Sequence, residues 1–85
     1  MHTITIYIPT IYSGAIKDAK LLFASLFGRY QAMSVAEGRY SDGSLVEEHA
    51  IIITSDTDSL CFRQDVLDFA RSIPARVAVD NEEIS

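Results

Sequence analysis

The chain has 85 residues, enough for one domain and too few for two. It is 48% apolar and 22% charged, with four Gly and two Pro, a composition that fits a folded globular domain and argues against a disordered one. Seven Lys and Arg against twelve Asp and Glu give a net charge of −5, which argues against a phosphate-backbone binder, and no apolar run reaches the roughly 18 residues of a membrane span.

From His2 to Ile8 the chain alternates, with Ile4, Ile6 and Ile8 on one face and Thr3, Thr5 and Tyr7 on the other. A period of two with β-branched residues predicts a strand with one face in the core, and Pro9, which lacks an N–H, stops it. Ser13 and Gly14 open a helical stretch ending at Phe27, with Ile16, Ala19, Leu22, Phe23, Leu26 and Phe27 at three- and four-residue spacings. Ser13 is the expected N-cap, and Gly28 suits the left-handed position that closes a helix.

Residues 30–54 read as a β-hairpin around Asp42-Gly43, a pair suited to a two-residue turn with positive φ at both positions. That turn sets Ser41 opposite Ser44, Tyr40 opposite Leu45 and Glu37 opposite Glu48. The run Ala50 to Ile53 suits a central strand covered on both sides, with Ile51 and Ile53 assigned to the core and Ile52 outward beside Tyr7 and Ala78. Asp58 or Ser59 is the expected cap of a second helix running to about Ile73, before Pro74. Arg76 to Val79 makes a last strand, and residues 80–85 read as a frayed acidic tail. The order β-α-β-β-α-β predicts one α+β domain over residues 1–85. Its class is ferredoxin-like: a four-stranded antiparallel sheet with both helices on one face. The expected core is Ile4, Ile6, Ile8, Leu22, Phe23, Leu26, Phe62, Val66, Phe69 and Val77.

Glu47-Glu48-His49 is the densest set of functional side chains. Alternation puts Glu47 and His49 on one face and Glu48 on the other, opposite Glu37 and diagonal to Arg39. His49 with Glu47, Glu48 and Glu37 could form an acid–base site; a solvated, charged hairpin arm is the competing reading. One imidazole and one carboxylate on a face fall short of the three or four ligands of a transition-metal site, so no bound metal is expected. Cys61, placed at the start of the second helix, would need His49 as a base to act as a nucleophile, and reads better as a small filler. Thr54 to Ser59 lacks the Gly and the closing Glu of a calcium loop. No Gly-rich phosphate loop or nucleophile elbow occurs, and no cofactor is called for.

The segment Gly38-Arg39-Tyr40-Ser41-Asp42-Gly43, followed by Glu48 and Ala50-Ile51-Ile52-Ile53, resembles part of an uncharacterised bacterial family of small ferredoxin-like domains. That family shows a Gly-x-aromatic, a turn Gly and a Glu before an apolar strand. The resemblance implies the fold and carries no activity with it.

The outer sheet face, with Tyr7 and Ile52, and the hairpin residues Tyr40 and Arg39 are the expected binding residues. They suggest a small non-enzymatic binding or interaction module, a homodimer that closes its open sheet face on a second copy. A small molecule or a partner protein could occupy the same face, whereas nucleic acid and membrane are not expected partners. Two alternatives stand beside this reading. One is a small enzyme with a dimer-lined pocket using His49 and Glu47 or Glu48; the other is an acidic, nucleic-acid-mimicking inhibitor from a mobile element. A lone cysteine and no basic-then-apolar start suggest a cytoplasmic protein.

Overall fold

A computed structural model describes residues 1–84. Chain order is β1 (His2–Pro9), α1 (Ser13–Phe27), β2 (Gln31–Ser41), β3 (Ser44–Thr57), α2 (Arg63–Arg71), β4 (Arg76–Val79) and β5 (Glu82–Glu83). The strands form one antiparallel sheet in the order β2-β3-β1-β4-β5. Its first four strands have the split βαβ connectivity expected of the ferredoxin-like class; the fifth was not expected.

The alternation in β1 decides the core. Ile4, Ile6 and Ile8 are fully buried on one face, where Ile53 and Val77 join them from β3 and β4. Ile16, Ala19 and Phe23 of α1 and Val66 and Ala70 of α2 complete the same cluster, so both helices cover one face of the sheet. Ile51 packs against it only partly buried, as do Leu26 and Phe69. Leu22 and Phe62, expected in the core, are also only half-buried. Phe62 instead completes an edge-on aromatic chain, with Phe23 to Phe27 at 5.3 Å and Phe27 to Phe62 at 6.0 Å between ring centres.

The hairpin register is as expected throughout, from Ser41↔Ser44 to Gln31↔Thr54. Asp42 and Gly43 have φ of 51° and 77°, the left-handed pair that matches strand twist. β1 meets β3 only as far as Pro9↔Ala50. The stretch from Ala36 to His49 is therefore a two-stranded arm, and every residue in it is exposed. Six residue pairs at about 3.3 Å carry it some 20 Å past the three-stranded part, and the longest dimension of the molecule is 46 Å.

Three local expectations are corrected. Ser13 is the first residue of α1 rather than its cap; Tyr12 precedes the helix, its carbonyl accepting from the Ile16 N–H at 3.1 Å. α2 runs only from Arg63 to Arg71. Ahead of it Ser59 accepts the Cys61 N–H at 3.2 Å and the Arg63 N–H donates to the Leu60 carbonyl at 3.0 Å in a tight turn; after it the Ser72 and Ile73 N–H groups donate to the Phe69 and Ala70 carbonyls in another. Cys61 thus lies exposed ahead of the helix, outside its first turn. Residues 80–84 are not frayed: Asp80 and Asn81, with φ of 52° and 67°, turn the chain so that Glu82 and Glu83 pair with Val79 and Ala78. Asp and Asn tolerate this conformation better than other non-glycine residues, and the acidic composition masked the turn. The Ile84 N–H then donates to the Val77 carbonyl at 2.8 Å, and its side chain packs on the core. Ser85 lies outside the described residues.

Candidate functional site

The face of the sheet away from the helices carries Thr3, Thr5 and Tyr7 from β1 and Ile52 and Thr54 from β3. Arg76 and Ala78 join them from β4. Cross-strand pairing puts Tyr7 beside both Ile52 and Arg76, and Thr5 beside Thr54 and Ala78. The Arg76 guanidinium lies 4.2 Å from the centre of the Tyr7 ring, a cation–π contact between the two side chains. Next to it is a depression of about 210 Å³, floored by Tyr7, Ile52 and Ala78 and edged by Arg76, Asn81 and Glu83. Its floor is largely apolar, and its polar groups, Arg76, Asn81 and Glu83, stand at the rim. Thr5 and Thr54 hydroxyls bond each other at 3.0 Å and leave the rest of the face polar.

Tyr7 and Ile52 come together as read from the alternation. Tyr40 and Arg39 do not join them: Tyr40 pairs with Leu45 near the tip of the arm, about 23 Å along the strand from Ile52. Arg76 was missed, although Ala78 outward on the same strand implies Arg76 outward two residues earlier. Asn81 and Glu83 could be placed only once β5 existed.

The second set lies where the arm leaves the body. The Thr10 N–H and hydroxyl both donate to the His49 carbonyl, at 2.9 and 3.1 Å, and anchor the base of the arm to the β1–α1 turn. A cleft of about 340 Å³ opens there between Pro9, Ile11, Tyr12 and Pro74 on one side and Glu47, Glu48 and His49 on the other. His49 Nε2 is 4.0 Å from Glu47 Oε2, with both side chains more than half exposed. Glu48 lies on the opposite face, across from Glu37. The four residues are thus divided between the two faces as the alternation implies, although Glu48 also borders the cleft. Among the described residues no three His, Cys, Asp or Glu side chains gather closely enough to hold a metal ion. What the arrangement can do is modest: a solvated His–Glu contact can exchange protons with water, but it lacks a third group to orient it.

At the far end of the sheet the chain closes on itself through Asp80. Its carboxylate accepts from the Thr3 N–H at 2.9 Å and contacts His2 Nδ1 at 2.8 Å. The His2 hydrogen bond, followed by the Thr3 amide, holds the Asp80 carboxyl below the usual carboxylate value.

No protein-family model matches the chain, and no curated protein matches it in sequence. Similarity is found among solved structures. A point mutant of CutA1 from Pyrococcus horikoshii OT3 superposes with a TM-score of 0.60 at 12% identity, covering 100% of this chain and 87% of that one. A DUF3240 family protein from Shewanella baltica OS155 gives a TM-score of 0.53 at 10% identity, covering 93% of this chain and 87% of that one. Both are small ferredoxin-like folds, and at such identities the likeness establishes the fold alone. Among the described residues no helix is long and apolar enough to cross a membrane.

Proposed function

We propose that the chain is a small non-enzymatic binding module that works as a homodimer, its open sheet face holding a small ligand with a flat apolar body and an acceptor group for Arg76. The observation that carries this reading is the Tyr7–Ile52–Ala78 floor with the Arg76 guanidinium against the Tyr7 ring. Among the described residues, Met33 and Val46 are the large exposed apolar side chains on that face. The face is therefore better suited to a ligand than to being buried whole against another copy. Catalysis is the weaker reading, because the His49–Glu47 contact is open to water and Glu37 and Glu48 lie across the sheet from it. A nucleic-acid mimic is disfavoured by the spread of its charge, with Glu37 and Glu48 on the open face, Glu47 on the other, and Asp65 and Asp68 on α2.

The test is a titration of isotope-labelled protein with benzoate, the simplest flat apolar anion, followed by NMR. Shifts centred on Tyr7, Ile52 and Arg76, and lost in Ile52→Glu, are expected. Shifts confined to Thr10, Tyr12 and His49 would move the site to the cleft and favour the enzyme reading; no shifts at either place would overturn this ligand class.

A further inference from the structure

We propose that two copies of the chain join edge to edge through β2, antiparallel about a two-fold axis at Gly38, so that Glu37 of each copy meets Arg39 of the other. The inference rests on the self-association reading above and adds the surface and the register.

β2 is an edge strand of eleven residues with no Pro, no Lys and only two charges, Glu37 and Arg39. Natural sheets shorten such an edge, charge it or cover it, because its free N–H and C=O groups template another strand. The opposite edge, β5, is two residues long. β2 is also the outer half of the wholly exposed arm, and an isolated two-stranded ribbon is marginal in water. Pairing two arms makes a four-stranded ribbon.

Gly38 supplies the second observation. A glycine in a strand interior weakens the strand and often marks close approach by another backbone. Nothing among the described residues asks for it: its φ is not in the left-handed region, and an added Cβ would meet only Leu45 Cδ1, at an ordinary 3.5 Å. At a two-fold axis it would face its own copy, with the Tyr40 side chains nearby.

Charge supplies the third. Glu37 stands opposite Glu48 and Arg39 opposite Val46, and none of these charged groups makes an ion pair among the described residues. The chain thus carries an unrelieved pair of carboxylates two residues from an unpartnered guanidinium on the same face.

These facts choose one register. Ser41 and Ser44 flank the two-residue turn and form a hydrogen-bonded pair, so alternate residues back along β2 turn their backbone groups to β3. Ala36, Gly38 and Tyr40 therefore turn theirs outward. An axis at Gly38 pairs Gly38 with Gly38 and Ala36 with Tyr40, giving about six backbone hydrogen bonds. It sets Glu37 against Arg39 of the second copy in the closely spaced, non-hydrogen-bonded position. An axis at Glu37 would oppose like charges, and one at Ala36 would set Glu37 against Val35 and leave both charges unmatched.

The experiment is the mass of the full chain by sedimentation at tens of micromolar, for wild type and three variants. Wild type is expected to be a dimer. Gly38→Pro removes an outward N–H while sparing the β2–β3 ladder, and is expected to be a monomer with unchanged secondary structure by circular dichroism. Glu37→Arg should weaken the dimer by about tenfold or more, since it turns two attractions into repulsions, and adding Arg39→Glu should restore it. A monomeric wild type would overturn both the self-association reading and this pairing. A dimer indifferent to Gly38→Pro, a trimer, or a double charge swap that fails to rescue would overturn the pairing alone.

Discussion

Phe23 has no exposed surface and sits where α1 meets Ile4, Ile6 and Ile53, while Phe69 only lines the edge of the same cluster. Both lie on the apolar stripes of their helices, and spacing alone ranks them equally. Burial separates them. Phe23→Ala is expected to cost about 3 to 5 kcal/mol, the range for deleting a fully buried ring, and Phe69→Ala about half as much. Chemical denaturation of the two variants checks this, and equal losses would mean that α2 seats Phe69 more deeply than described. Glu37, Glu48 and Arg39 teach the same lesson for charge. Their positions follow from the turn at Asp42-Gly43, but whether a charge is relieved depends on what stands beside it in space.

At the scale of elements, the C-terminal hairpin ties the chain ends together. Asp80 is the hinge, since its backbone N–H donates to the Thr3 carbonyl at 2.8 Å and its carboxylate receives the Thr3 N–H and contacts His2. The folded state holds this carboxyl below its usual value, so its stabilising contribution is present above the ordinary carboxylate range, near pH 4, and is lost as pH falls through the lowered value. Asp80→Asn keeps an oxygen acceptor and suits the positive φ, so it removes mainly the charge. The variant should melt below wild type at pH 7, and the gap should narrow as pH drops to about 2. A gap of constant size would show that the carboxylate's charge contributes nothing. The element was hidden in the sequence because Asp80-Asn81 and the two glutamates read as an acidic tail, whereas in the fold Ile84 supplies the apolar contact that seats them.

At the scale of the molecule, a compact body and a long arm divide the work. The body holds one cluster under two helices; the arm exposes Tyr40, at 77%, and Leu45, at 70%, and none of the described residues covers them. A domain of this size buries about 60 to 65% of the surface its unfolded chain exposes, less than a larger domain does, and association adds what the core lacks. The midpoint of thermal unfolding is therefore expected to rise with protein concentration, by mass action on the associated folded state. Calorimetry over a hundredfold range of concentration checks it, and a midpoint independent of concentration would count against association.

What the sequence by itself determined was everything governed by neighbours along the chain. The period of two in β1, the helical spacing in α1, the left-handed close at Gly28 and the turn at Asp42-Gly43 are local preferences. From them the element order, the hairpin register, the core face of Ile4, Ile6 and Ile8 and the meeting of Tyr7 with Ile52 all follow. Tertiary structure decided what depends on separation through space. The start of α2 at Arg63 is not among these, since it follows local turns at Thr57 and Ser59. Tertiary structure laid Arg76 over Tyr7 and folded Glu82 and Glu83 back as a fifth strand, because both arise from pairing between segments roughly seventy residues apart or bent by a turn that composition disguised. Alternation alone separates Glu47 and His49 from Glu37 and Glu48 across the sheet; tertiary structure added that the whole arm is exposed, which leaves each half in water.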